Sequence, residues 1–135
     1  KIRSVIMSTV RSIDNRSTER RLRGLLVQSR LHGWRVRPFG FDGKPDFVFS
    51  RKRIAVFVDG CFWHGCRACF RQPSDNRAYW KAKVQSNRKR DSNSGRRLSR
   101  AGWRVMRVWE HELTSAPARM AAISKIRKAV INNGR

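Results

Sequence analysis

Three segments of the chain carry apolar residues at the three- and four-residue spacing of a helix with one buried face. The first is predicted over residues 17–32, with Asp14, Asn15 and Ser17 as candidate N-caps, and Gly33 ends it. Its apolar stripe consists of Leu22, Leu25 and Leu26. A longer, polar helix is predicted from Asn76 to about Arg100, and an amphipathic one starts at Ser115. Their expected apolar faces include Tyr79, Trp80, Val84 and Leu98 in the long helix, and Met120, Ile123, Ile126, Ala129 and Val130 in the last.

Four shorter runs have the composition of β-strands. They are predicted at Trp34–Phe39, Asp46–Phe49, Arg53–Val58 and Trp103–Trp109. The third contains the continuous apolar sequence I-A-V-F-V, which is typical of an inner strand covered on both faces. The order helix, three strands, helix, strand, helix predicts an α/β sandwich built on a small mixed sheet.

Composition narrows the class of partner. The 135 residues suit one domain, and 39% hydrophobic residues are enough for a folded core. Lys and Arg number 32 against nine Asp and Glu, giving a net charge of +23, which favours nucleic acid as the partner. An anionic membrane is the weaker interpretation, because no segment reaches the ~18 apolar residues of a spanning helix. We therefore expect a cytoplasmic or nucleoid-associated protein.

All three cysteines lie within nine residues, in the C-x4-C-x2-C spacing of Cys61, Cys66 and Cys69. An odd number of clustered cysteines argues against a disulfide framework and indicates a reducing compartment with a structural zinc site. Two histidines compete for the fourth ligand position. His64 would crowd the loop, whereas His111 follows a strand that a mixed sheet can bring back beside it, so we favour His111. The alternative is three buried free thiols.

Two acidic residues stand where acids are unusual. Asp46 follows Pro45 at the start of a strand, which resembles the metal-binding acid of PD-(D/E)xK nucleases, although Val56–Val58 replaces the acid-x-Lys part of that motif. Glu19 lies three residues before Leu22, on the side of the first helix expected to be buried. A favourable interaction with the helix dipole is the simplest explanation of Glu19.

Several longer motifs occur in a fixed order over about residues 3–113. They are R-S-x-x-M, G-K-P-D-F-V, A-V-F-V-D-G-C-F-W-H-G-C, W-x-x-K-x-x-x-N-x-x-R-D and G-W-R-V-x-x-V-W-E-x-E-L. With them the chain resembles the very-short-patch repair (Vsr) endonucleases, which nick DNA beside T:G mismatches. The resemblance implies a three-layer α-β-α restriction-endonuclease-like fold in one domain, residues 1–135. Residues 1–16 would form a DNA-contacting arm, 17–113 the nuclease core and 114–135 a C-terminal helix.

The resemblance also assigns roles to individual residues. Asp46 would bind catalytic Mg²⁺ together with the backbone carbonyl of Val58, and Glu19 would hold water on that metal. His64 would be the general base, oriented by Asp91. The structural Zn²⁺ would be held by Cys61, Cys66, Cys69 and His111. The residues implied to intercalate beside the mismatch are Met7, Phe62 and Trp63.

Two positions depart from the family pattern. Asp59 stands where some members have a second active-site histidine, and it remains a candidate catalytic residue. Val58 replaces a frequent Thr, which a backbone ligand tolerates. The expected partners are T:G-mismatched double-stranded DNA and, by family, mismatch-repair and repair-polymerase proteins, with the chain a monomer.

Two other functions stay open. The first is a related homing endonuclease that cuts an intact duplex. The second is a non-enzymatic zinc-stapled DNA-binding module, which would leave Glu19, Asp46 and Asp91 unexplained because acids repel phosphate.

Overall fold

The computed structural model describes residues 18–60 and 76–132. Helix α1 covers residues 18–28 of this part, α2 is Arg77–Arg100 and α3 is Ala116–Asn132. The strands are β1 (Trp34–Val36), β2 (Phe47–Phe49), β3 (Ile54–Asp59) and β4 (Arg104–Trp109), and a 3-10 helix follows at Glu110–Leu113. The predicted order of elements is confirmed. The proposed N-terminal arm, residues 1–16, lies outside the described residues.

The four strands form one mixed sheet in the order β1-β2-β3-β4. The first three make an antiparallel meander, in which Phe47 lies opposite Val56. Strand β4 pairs with β3 in parallel, with Val58 opposite Val108. Parallel neighbours need a long crossover connection, and α2 lies in the chain segment between them. The carboxyl ends of β3 and β4 therefore lie side by side.

Helices cover both faces of this sheet. On one face, α1 and α3 contribute to the main core through residues such as Leu22 and Ile126, which contact side chains of β2, β3 and β4. On the other face, Leu98 of α2 packs in a smaller core with Ala55 and Phe57 of β3. All six residues of β3 are buried, which confirms the prediction of an inner strand covered on both sides.

The structure shortens two predicted elements. Helix α1 ends at residue 28 because Arg30 adopts a left-handed conformation (φ 56°), before the predicted stop at Gly33. Strand β1 ends at Val36 because Arg37 also has a positive φ, 42°, and Pro38 has no N–H to donate. Both changes lie in segments that lead toward Asp46.

The predicted apolar faces were wrong at two positions. Tyr79 of α2 and Met120 of α3 are 51% and 70% exposed, respectively. Both lie on the flank of a helix, beside buried residues such as Trp80 and Ile123. Neither helix, nor any other in the part of the chain that the structure describes, is long and apolar enough to cross a membrane.

The connection from β1 to β2 is held against α2. Gly43 has φ +70°, and a Cβ placed there would lie 2.6 Å from Cβ of Ser94. Phe41 packs edge-on against Trp103 at a centroid distance of 5.0 Å, and Asp42 accepts a 2.8 Å hydrogen bond from Arg97. These contacts fix the backbone that runs directly into Pro45 and Asp46.

Candidate active site

Asp46 immediately precedes β2 and is tied to the end of β3 by two hydrogen bonds. Its Oδ2 accepts from the backbone N–H of Val58 at 2.8 Å, and its own N–H donates to the carbonyl of Val56 at 3.0 Å. The N–H and C=O of one strand residue point to the same side. The carbonyl of Val58 is therefore directed to the side on which the Asp46 carboxylate lies.

The pKa of Asp46 is raised from 3.8 to about 6, and burial is the largest cause. The hydrogen bond from Val58 and the positive charge of Arg37 act in the opposite direction, while the negative charges of Glu19 and Asp59 add to the effect of burial. A buried carboxylate among other acids favours the approach of a cation. The donors at this point are oxygen atoms, which is the ligand type that Mg²⁺ prefers.

Glu19 of α1 is 8% exposed, which confirms that it points to the buried side of the helix. It forms an ion pair with Arg37, the residue that follows β1. The N–H of Arg37 also donates to the carbonyl of Asp46 at 2.9 Å, so Arg37 joins the two acids. A buried carboxylate needs such a cationic partner, which accounts for Glu19 better than the helix dipole does.

A second group of charges lies at the same end of the sheet. Asp59, the last residue of β3, is 4% exposed and accepts hydrogen bonds from Nη1 of Arg107 at 3.1 and 3.3 Å. Nη2 of the same guanidinium donates to the backbone carbonyl of Asp91 in α2 at 2.9 Å. Arg107 also lies over the ring of Phe57, 4.3 Å from its centroid. We call these residues the Asp59–Arg107–Asp91 cluster.

The Asp46–Glu19 pair and the Asp59–Arg107–Asp91 cluster both lie near the carboxyl end of β3. Val58 belongs to the core under α1 and α3, and the side chain of Phe57 belongs to the core under α2. Glu19 belongs to α1 and Asp91 to α2, and the charges of both Glu19 and Asp59 act on Asp46. The structure thus brings four of the predicted site residues near one strand end: Glu19, Asp46, Asp59 and Asp91.

The remaining predicted residues are not tested by this structure. His111 lies in the 3-10 helix after β4, partly buried. The other predicted zinc ligands Cys61, Cys66 and Cys69, the predicted base His64, and the predicted intercalating residues Met7, Phe62 and Trp63 all lie outside the described residues. Within residues 18–60 and 76–132, no group of three or more His, Cys, Asp or Glu side chains is arranged to hold a metal ion.

Sequence reasoning missed Arg37 and Arg107. Arg107 carried a usable signal, because it interrupts the apolar run of β4 between Met106 and Val108. A basic residue inside one strand and an acid at the end of another, Asp59, suggest a buried ion pair. Arg37 gave no comparable signal, since it is one of many arginines in the chain and its pairing depends on where α1 packs.

Known proteins similar to this chain are endonucleases. The family model described as DNA mismatch endonuclease Vsr matches residues 1–71. The type II nicking enzyme V.XorIIP of Xanthomonas oryzae pv. oryzae is 38% identical over 130 residues, covering 92% of this chain and 90% of that protein.

Two further relatives match over shorter segments. DNA mismatch endonuclease Vsr of Escherichia coli is 38% identical over 104 residues, covering 75% of this chain and 66% of that protein. The type II nicking enzyme V.NaeI of Lentzea aerocolonigenes is 52% identical over 73 residues, which span 54% of this chain and 44% of that enzyme. The family match over more than half of the chain and the near full-length similarity to V.XorIIP lead to one conclusion: this chain belongs to the DNA mismatch endonuclease Vsr family, a family of DNA endonucleases.

Proposed function

We propose that this protein is a magnesium-dependent endonuclease that nicks one strand of double-stranded DNA at T:G mismatches, as in very-short-patch repair. The observation that carries the proposal is Asp46. It is a buried carboxylate with a pKa raised to about 6, held by the N–H of Val58 at the end of an inner strand. Burying such an acid destabilises the fold. Its presence is explained if the carboxylate binds a cation at the scissile phosphate.

Asp46 and the carbonyl of Val58 are the groups that would hold Mg²⁺. Bound there, the ion would neutralise charge on the scissile phosphate and on the leaving oxygen. Glu19 lies close enough to Asp46 to raise its pKa, so it can orient water at the same place. The ion pair with Arg37 holds the Glu19 carboxylate in place.

His64 is proposed to take the proton from the attacking water. It follows Asp59 by five residues in the chain, and Asp91 on α2 would orient its imidazole. The position of Asp91 next to the end of β3, through Arg107, supports this role. A neutral histidine near physiological pH is suited to accept a proton.

Further parts of the proposal rest on the family resemblance. Zn²⁺ would be held by Cys61, Cys66, Cys69 and His111, in a restriction-endonuclease-like fold. The mismatch would be opened by intercalation of Met7, Phe62 and Trp63. Partners from mismatch repair and the repair polymerase, and a nucleoid-associated location in the cytoplasm, belong to the same proposal.

The decisive experiment compares three duplexes of one sequence, with a T:G, G:C or A:T pair at the test position. Each strand carries a different end label, and products are resolved on a denaturing gel with and without Mg²⁺. We expect a single nick in the T-containing strand of the T:G duplex only. Asp46→Asn should abolish it, whereas Lys125→Met, which removes an exposed charge on α3, should cut like the parent.

The second candidate is a nuclease that nicks an intact site. This candidate is supported by two relatives, V.XorIIP and V.NaeI, which are named as type II nicking enzymes. It predicts equal cutting of the T:G and G:C duplexes in one sequence context. That outcome would overturn mismatch specificity while leaving the Asp46 chemistry intact.

A further inference from the structure

Arg107 is the point at which β3, β4 and α2 meet. It lies in the middle of β4, yet its guanidinium hydrogen-bonds with Asp59 at the end of β3 and with the backbone of Asp91 in α2. Nη1 also approaches Oδ1 of Asp91 to 4.0 Å. The side chain is only 24% exposed, so these contacts form largely out of water, where they are stronger than on the surface.

The geometry requires arginine rather than any cation. Nη1 serves Asp59 while Nη2 serves the Asp91 carbonyl, so the two partners use different nitrogen atoms of one planar group. The plane is further fixed by the ring of Phe57 at 4.3 Å. A lysine ammonium is a point charge that has no planar group to stack in this way.

We infer that Arg107 is a positioning residue for the reaction, which sets the place of the Asp91 side chain. This inference rests on the proposed function, in which Asp91 orients His64. The hydrogen bond to the Asp91 carbonyl ties the turn of α2 from which that side chain emerges to β4. Asp59 is a second partner of the same guanidinium, and Asn at that position keeps an oxygen that can accept from Arg107.

A purely structural role for Arg107 makes a different prediction. If Arg107 only neutralised the buried carboxylate of Asp59, its loss would matter because that carboxylate loses the cation beside it. Replacing Asp59 by Asn would then remove the need for Arg107. If Arg107 positions Asp91, it is needed whether or not Asp59 is charged. The two roles are separated by removing Arg107 in both backgrounds.

The experiment measures single-turnover nicking of an end-labelled T:G duplex by four proteins: the parent, Arg107→Met, Asp59→Asn and the double variant. DNA binding without Mg²⁺ and the melting temperature are measured for each. Displacements of about 1 Å at a catalytic constellation cost about 100-fold in rate. We expect Arg107→Met to slow nicking by about that factor relative to its own background, in the parent and in Asp59→Asn alike. DNA affinity should change much less than the rate.

The melting temperature should respond differently. Arg107→Met should lower the melting temperature more with Asp59 present than with Asn at this position, because only then does a buried carboxylate lose the cation beside it. The inference is overturned if the rate loss disappears in the Asp59→Asn background, or if Arg107→Met cuts at the parental rate. Arg107→Lys replaces Arg107→Met if the latter does not fold, with the same two backgrounds and the same criterion.

Two controls separate this inference from the proposed function. Lys125→Met also removes one positive charge, and it should match the parent in rate. If the parent itself does not nick any duplex in Mg²⁺, the proposed function fails and takes the inference with it. If the parent nicks and the Arg107 effect is absent, only the inference fails.

Discussion

At Asp46, burial and neighbouring negative charges oppose ionisation. Its pKa is about 6 in the folded protein and 3.8 in the unfolded chain. Between these values the folded state binds the proton more tightly, so the contribution of Asp46 to the free energy of unfolding falls as the pH rises from about 4 to 6. Above pH 6 the full destabilisation is present, about 3 kcal/mol. A bound cation would offset it.

This predicts the effect of Asp46→Asn on stability. The amide oxygen can still accept from the N–H of Val58, and no charge is buried. Without added Mg²⁺, the variant should be more stable than the parent by about 3 kcal/mol at pH 8 and by about half of that at pH 5. Urea denaturation at the two pH values measures the difference. An equal gain at both would contradict the raised pKa.

Gly43 allows a comparison between two glycines of one loop. Gly43 and Gly40 both have positive φ, +70° and +92°, so Ala at either position should cost about 1 kcal/mol of backbone strain. Only at Gly43 would the new Cβ lie 2.6 Å from Ser94, whereas nothing lies within 4 Å at Gly40. Gly43→Ala should therefore destabilise by about 1 to 3 kcal/mol more than Gly40→Ala. Equal denaturation midpoints would mean that the loop moves away from α2 at no cost.

At the scale of elements, the 3-10 helix after β4 depends on one cap. The N–H of Trp109 donates to Oε1 of Glu112 at 3.0 Å, which secures the start of the turn that carries His111. Glu112→Ala should lower the free energy of unfolding by about 1 kcal/mol, and Glu112→Gln should lose less because it keeps the acceptor oxygen. Chemical denaturation of both variants tests this. If Glu112→Gln lost as much free energy of unfolding as Glu112→Ala, the charge of Glu112 and not its hydrogen bond would stabilise the turn.

The order and type of these elements were predictable because each signal is local. The apolar run of β3 and the three- and four-residue spacing in α1 depend only on neighbours in the chain, and both predictions are confirmed. Local periodicity could not decide how wide a buried face is, and for this reason Tyr79 was wrongly placed in the core. The ends of α1 and β1 depend on positive φ at two arginines, a conformation that arginine rarely adopts.

The candidate site was predictable only in part, because local sequence signals do not show which distant residues come into contact. Asp46 and Glu19 were identified from their unusual positions and from the family resemblance, and both lie at the end of β3. Their partners were not, because Arg37 pairs across 18 residues and Arg107 across 48. Such pairs are created by tertiary packing, and a chain with 32 basic residues offers many equally plausible candidates.

At the scale of the whole molecule, the net charge of +23 favours binding to a polyanion such as DNA. With ~6 to 10 phosphates neutralised, the logarithm of the DNA association constant should fall against the logarithm of salt concentration with a slope of about −5 to −9. Fluorescence anisotropy of a labelled duplex, titrated with the protein at several salt concentrations between about 50 and 300 mM, measures this slope. A slope shallower than about −2 would mean that most of the charge does not face DNA.

The parallel pairing of β3 with β4 also bears on how the protein acquires its function during folding. Ile54 lies opposite Arg104, whereas the β2–β3 pairing joins residues as close in the chain as Phe49 and Ile54. Local contacts form fast, and closing a long loop is slow. The meander that carries Asp46 is thus expected to assemble early, and Arg107 to arrive with the last strand. The protein would therefore become able to cut DNA only once β4 has paired with β3.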